Sequence, residues 1–299
     1  MSLLVVGSVA LDDIEAPAGS VKSVLGGAAS YCSVASSYFV RTQAVGVTGD
    51  DFPQEHLDFL ASRGIDLAGV TRAQGRTFRW GGRYHASLNQ RDTVFTELGV
   101  FERFDPVLPP EYLDAEWVFL ANIHPSLQRG VLEQVRAPRF SAMDTMNFWI
   151  EGSRAELEKT LARVAGLVIN DDEARQLTGE SNLVRAADAI RALGPTTVIV
   201  KRGEHGALLF DEAGVFAAPA FPLREVQDPT GAGDSFAGGF MGSLAAGGTL
   251  APDALRRAVI HGSVLASFCV ERFSLDRFRT LTRAEIDERF EQFRRLTRF

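Results

Sequence analysis

The feature that most constrains this chain of 299 residues is a rhythm: short apolar runs recur, separated by longer stretches with helical periodicity. Runs at residues 3–6, 43–47, 116–121, 140–143, 166–169 and 197–200 are largely apolar, as strands buried on both faces of a sheet must be. Helical patterns at 28–39, 52–63, 128–136, 156–164 and 183–193 fall between them. That alternation predicts an α/β fold, a mostly parallel central sheet with helices on both faces. Residues 207–210 and 215–218 read as a strand pair joined by Asp211-Glu212-Ala213-Gly214. The last third reads as helices at 234–245, 252–270 and 283–295.

One region departs from the rhythm. Residues 76–104 alternate aromatic and polar side chains, as in Phe78-Arg79-Trp80 and Thr93-Val94-Phe95-Thr96, which suits strands with one face exposed. An antiparallel flap projecting from the main body is predicted there, with an ordinary edge hairpin as the alternative. Hydrophobic residues make up 45% of the chain, ample for a large core, and the formal net charge of −7 argues against a broad nucleic-acid-binding face. No apolar run approaches a membrane span, and the start, Met-Ser-Leu-Leu-Val-Val-Gly, lacks a basic leader. A cytoplasmic protein without membrane or nucleic-acid partners is therefore expected. Cys32 and Cys269 sit in apolar helix-like stretches and read as small buried residues.

The chemistry is concentrated in Asp228-Pro229-Thr230-Gly231-Ala232-Gly233-Asp234-Ser235-Phe236. Pro229 and the two glycines force a turn, and the small apolar residues that follow read as a tightly packed helix. A Gly-Ala-Gly turn at a helix start leaves backbone N–H groups unpaired, and with the helix dipole they form an anion site. Asp234 in the first turn reads locally as a cap. A carboxylate inside an anion site would repel its ligand, unless it takes a proton from a hydroxyl while the amides neutralise a transferring phosphoryl group.

The segment 228–236 resembles the C-terminal signature of the ribokinase-like (PfkB) family of carbohydrate and nucleoside kinases, and Gly26-Gly27-Ala28-Ala29-Ser30 resembles its other signature. The resemblance covers nearly the whole chain. It implies a single three-layer α/β/α domain over residues 1–299, with a small β-sheet lid from segments near 12–24 and 76–104. It also implies transfer of the γ-phosphate of ATP, with Mg²⁺, to a sugar hydroxyl. Nucleoside or inositol/polyol kinases of the same fold are the alternatives, followed by a catalytically silent nucleotide sensor. A dinucleotide-dependent oxidoreductase is disfavoured, because no Gly-x-Gly-x-x-Gly follows the first strand. Asp234 becomes the base, and Gly231, Ala232 and Gly233 the anion hole.

Other positions follow from the resemblance, each beside a local reading. Asn170 and Glu173 end a predicted strand, where α/β folds bind ligands; they would order Mg²⁺ through water, or else form a helix N-cap. Lys201, Gly203 and Gly206 would form a nucleotide-side loop, or a solvated turn. His261 would line the adenine pocket, or pack among apolar neighbours. Thr230 would meet the nucleotide, and Asp228 a monovalent cation such as K⁺. On the acceptor side Asp12 would bind hydroxyls, with Asp13 as rival, while Gly26 and Gly27 let the backbone approach. Asp144 and Asn147 would face the acceptor or simply cap a strand end. Ribokinase-type members carry Lys and Asn after the paired glycines, whereas this chain has Ala28 and Tyr31. Tyr31 or Trp80 could instead stack on a base. The aromatic flap could pair with a second copy, giving a homodimer.

Overall fold

The computed structural model describes residues 1–88 and 90–298. Strand β1 (Ser2–Val6) runs into an excursion, β2 (Ala10–Ala16) and β3 (Gly19–Gly26), before helix α1 (Ala28–Ser36). Then come β4 (Arg41–Thr48), α2 (Gln54–Ser62), β5 (Asp66–Arg72) and a second excursion, β6 (Phe78–Tyr84) and β7 (Arg91–Glu97). The chain returns through β8 (Trp117–Leu120), α3 (Pro125–Gln134), β9 (Phe140–Asp144), α4 (Asn147–Gly152) and α5 (Arg154–Leu161). Next are β10 (Gly166–Asn170), α6 (Asp171–Thr178), α7 (Leu183–Ala192), β11 (Thr197–Lys201), β12 (Ala207–Asp211) and β13 (Gly214–Ala218). Helices α8 (Ala232–Gly247), α9 (Pro252–Cys269), α10 (Asp276–Thr280) and α11 (Arg283–Leu296) complete it.

The main sheet has nine strands in the order β13-β12-β11-β10-β9-β8-β1-β4-β5, parallel except where β12 and β13 join. Alternate residues of β1 serve two cores. Leu3 and Val5 join a cluster with residues of α1, α8 and α9, while Leu4 and Val6 join one with residues of α3, α5, α6 and α7. A period of two splitting between two helical layers is what makes the domain three-layered. Because β1 pairs with β4 on one side and β8 on the other, its exit is a switch point, where open α/β sheets bind ligands.

The small sheet runs β3-β2-β6-β7. The flap predicted as antiparallel is mixed: β2 and β6, drawn from separate excursions, run parallel, and only the outer pairs are antiparallel. Helix α8 is pressed between α1 and α9. A Cβ on Gly238 would strike the Cys32 carbonyl, one on Gly242 would lie 2.8 Å from the Ser36 Cα, and one on Gly239 would lie 2.8 Å from the His261 carbonyl oxygen. Only glycines permit so close an approach.

Candidate active site

Two helix starts meet at the centre. At α1, the Ala28 N–H donates to Ser8 Oγ (3.0 Å) and the Ala29 N–H to the Ser8 carbonyl (3.0 Å), so the helix begins against the β1 exit. At α8, Gly231 occupies the left-handed region with φ 73°, and no side chain caps the helix. Ser235 N–H makes the first helical bond, to the Gly231 carbonyl at 2.8 Å, and Ala232 N–H turns back to Pro229. Gly233 N–H has no main-chain acceptor among the described residues. A Cβ on Gly231 would overlap the Tyr31 ring, and one on Gly233 would sit 2.8 Å from Lys201 Nζ. Asp234 N–H likewise has none, so the cradle is a helix start with more than one open amide and an ammonium beside it, a fit for phosphate.

Lys201 reaches that position from the end of β11. Beside it β10 ends at Asn170, in register with Lys201, and β9 beyond β10 ends at Asp144. Asp144, expected to face the acceptor or cap the strand end, pairs with Lys201 at 3.4 Å and accepts the Thr145 N–H. Burial favours the neutral amine in Lys201, but Asp144, Glu173 and Asp234 outweigh it and raise its pKa. Asn147 opens α4 as an exposed residue and is not drawn into this cluster.

Burial, then the charge of Asp144, push the Asp234 carboxyl up to about 6, against the pull of Lys201 and Arg91. Burial and Asp144 likewise raise Glu173 to about 7, opposed by Lys201 and Arg91. Asn170 and Glu173 realise the local reading as a reciprocal capping box: Glu173 N–H donates to Asn170 Oδ1 (2.7 Å) and Asn170 N–H to Glu173 Oε2 (3.0 Å). The box holds the Glu173 carboxyl within the field of Asp144 and Lys201. Carboxyls crowded until their acidity weakens are a donor set that a divalent cation would relieve.

Asp12 is buried on the inner face of the small sheet and packs directly on Gly26, whose Cβ would overlap its carboxyl; Gly27 beside it holds φ 94°. Burial first, then Asp228 and Asp234, raise Asp12 to about 8. Its rival Asp13 points outward, to Arg79 at 3.2 Å and the Ser23 N–H. Trp80 is the register partner of Asp12 and shares its face. Tyr31 is fully buried against Gly231, so the expectation that it could stack on a base is corrected.

Three further expectations meet other partners. Asp228 is fully buried, with Oδ1 accepting Thr230 N–H (2.8 Å) and Oδ2 accepting Ser274 N–H (2.9 Å), so it staples the anion loop to the chain after α9. Ser274 holds φ 55° there, a backbone that ordinarily favours glycine. Thr230 donates its hydroxyl to Tyr84 of β6 (3.1 Å), a tie from loop to small sheet. His261 is corrected to the packed reading. It hydrogen-bonds Ser243 (2.7 Å) and stacks on Phe290 with Phe39 adjacent. Ser243, nine residues beyond Asp234 on α8, is roughly 13 Å along the helix from the cradle. Gly203 and Gly206 both take positive φ, and a Cβ on Gly206 would strike the Ala218 carbonyl, so they shape a tight turn against β13. Sequence reasoning missed Arg91 and Tyr84 of the small sheet, whose role needs the sheet folded over α8.

Fold and cradle together define a phosphoryl-transfer enzyme on a three-layer domain with a small sheet over its strand ends. The profile described as pfkB family carbohydrate kinase matches residues 2–278. A cytidine kinase of Thermococcus kodakarensis is 33% identical over 256 residues, 83% of this chain and 90% of that protein. The nucleoside kinase of Burkholderia thailandensis, solved with inosine, superposes with a TM-score of 0.79 at 21% identity, over 97% of this chain and 98% of that one. A ribokinase II candidate from E. coli, solved with ATP and Mg²⁺, superposes with a TM-score of 0.78 at 21% identity, over 97% and 99%. The chain belongs to the pfkB family of carbohydrate kinases. It is an ATP-dependent kinase with a hydroxyl acceptor of the sugar or nucleoside class, and ATP and Mg²⁺ are expected for the family. Among the described residues no helix is long and apolar enough to cross a membrane.

Proposed function

We propose that the acceptor is a nucleoside, phosphorylated on a ribose hydroxyl with Asp234 as base. The observation that carries the acceptor is the pairing of Asp12 with Trp80. A carboxyl and an indole one strand apart on the inner face suit a ribose hydroxyl and an attached flat base. The cytidine kinase and nucleoside kinases among its relatives support the same reading. Asp234 takes the hydroxyl proton as the acceptor oxygen bonds to phosphorus; the bond to the leaving diphosphate breaks, and the diphosphate keeps the electron pair. The Gly233 amide, with Gly231 and Ala232 shaping the turn and Lys201 alongside, receives the charge that develops on the phosphoryl oxygens. Asn170 and Glu173, in reach of Asp144, would hold Mg²⁺ through water; the ion supplies neutralisation between the phosphates. Gly203 and Gly206 would border the nucleotide.

A K⁺ ion beside Asp228 would share a carboxylate whose two oxygens already accept amides; equal turnover in K⁺ and Na⁺ would remove it. A homodimer through the lid would bring its outer face, with the Asp13–Arg79 and Glu15–Arg83 pairs, against a second copy; sedimentation measures this. The reading as a whole is tested by ADP release from Mg-ATP across nucleosides, pentoses, hexoses and inositols, with Asp234→Asn as control. A nucleoside signal lost in the variant is expected. A signal confined to free sugars would overturn the acceptor.

A further inference from the structure

We propose that Arg91, carried by the lid strand β7, is a catalytic residue that contacts the transferring phosphoryl group, and that a bound acceptor drives it there by taking the indole face it otherwise covers. The proposal rests on the assignment of the α8 start to the phosphates and of Trp80 to a flat acceptor.

Arg91 is the cross-strand partner of Tyr84 on the inner face of the small sheet. Tyr84 is buried, and its hydroxyl accepts the Thr230 hydroxyl hydrogen at 3.1 Å. The Arg91 backbone is therefore one strand away from a residue pinned to the loop that leads into Gly231. Cross-strand neighbours stand close enough for a long side chain to reach what its partner touches. The guanidinium lies over the Trp80 ring, 5.3 Å from its centroid. The indole itself lies across Gly82, whose Cβ would overlap it. One side of the ring is thus closed by backbone, and Arg91 covers what is left for a stacking base.

Among the described residues Arg91 has no carboxylate ion-pair partner, and it is exposed. Its positive charge nevertheless lowers the pKa of Asp234 against burial. An exposed cation–π contact is weak, so a nucleobase competes readily for the ring. The charge balance gives the displaced guanidinium a destination. Lys201 alone on β11 faces Asp144, Glu173 and Asp234, and a triphosphate adds more negative charge. A planar guanidinium offers two phosphoryl oxygens a fork of parallel N–H bonds, which an ammonium lacks. Acceptor binding would then bring up the second cation, which restrains transfer to water when no acceptor is present.

The test measures capture of MgADP with aluminium fluoride, with and without cytidine, by calorimetry in wild type, Arg91→Gln and Arg91→Lys. MgADP alone should bind all three equally, which also reports a folded site. In wild type, cytidine should strengthen aluminium fluoride capture. Arg91→Gln should lose about 10²-fold in that capture and in kcat, with the KM for ATP little changed, and Arg91→Lys should recover part of it. The acid limb of the Arg91→Gln pH profile should move upward, since Asp234 loses a cation that favours its charged form. Equal capture by wild type and Arg91→Gln would overturn the proposal. Capture that cytidine does not strengthen would overturn the acceptor reading and the trigger, yet its loss in Arg91→Gln would still place the arginine at the phosphoryl group. No capture by wild type would overturn the cradle assignment itself, and Arg91 with it.

Discussion

Replacing Asp12 with Asn should damage acceptor binding and, in the absence of ligands, stabilise the protein by an amount that grows with pH. The Asp12 carboxyl is held up at about 8 instead of 3.8 by burial and by the negative charges of Asp228 and Asp234. Its folded-state pKa exceeds its unfolded one, so the stability it contributes is fully present below pH 3.8 and is lost as pH rises through about 8. Each pH unit in that window is worth about 1.4 kcal/mol. Carried from 3.8 to about 8, the loss has a ceiling on the order of 5 kcal/mol, of which about 1.5 kcal/mol is already incurred at pH 5. Asparagine matches the shape of the carboxyl beside Gly26 and carries no titrating proton. The assay is urea unfolding of both proteins at pH 5, 6, 7 and 8 without nucleotide or acceptor. The midpoint of Asp12→Asn should gain steadily on that of wild type across the series, while its acceptor KM rises. If the two midpoints move in parallel with pH, Asp12 is not carrying a displaced proton and the crowding argument fails.

Asp234→Asn should lower kcat by about 10²- to 10⁴-fold, the range for loss of a general base, with a melting temperature no lower than wild type, since the carboxyl it removes is held above its ordinary pKa; turnover near wild type would remove Asp234 as base. The kcat/KM profile should fall tenfold per pH unit below about 6, where Asp234 takes up its proton, and a limb centred near 4 would mean that burial does not govern it. Gly231→Ala forces a side chain into left-handed backbone and against Tyr31. It should cost more than about 1 kcal/mol from the backbone alone, read from urea midpoints. Glu173→Gln should raise the Mg²⁺ needed for half-maximal rate by about tenfold, as loss of an outer-sphere partner does; an unchanged Mg²⁺ titration would leave Glu173 as a cap only.

What the sequence made legible was local. Runs such as Leu3–Val6 and Thr197–Val200 announce themselves because a strand buried on both faces has no room for polar residues. Strand β5 escaped notice because Asp66, Gly69 and Arg72 interrupt it at a sheet edge. Helix α6 showed in the sequence only as the N-cap alternative at Asn170 and Glu173, because its eight residues are too few for a clear apolar period. Strand β2 carries Asp13 and Glu15 on its outward face, and its pairing with β6 joins segments more than sixty residues apart. In the site, Asp234 and its glycines were readable because the turn, the helix start and the carboxyl are contiguous. The Asp144–Lys201 pair was not legible, because nothing local says that a lysine fifty-seven residues later will reach that carboxyl. His261 misled because helical position alone does not say which neighbour a face meets.

The glycines of α8 have a consequence for how such a protein can change. With Gly238 and Gly242 seated on the backbone of α1, and Gly239 on that of α9, the helix that starts at the phosphate cradle and the one that starts beside Asp12 form a single rigid jig. Donor and acceptor are referenced to the same bar. Asp12, Trp80 and Arg91 hang from the small sheet, joined to the jig at few points, among them the Tyr84–Thr230 bond. New acceptors can therefore be acquired by rewriting the sheet, strand by strand, without retuning the alignment in which phosphorus meets oxygen.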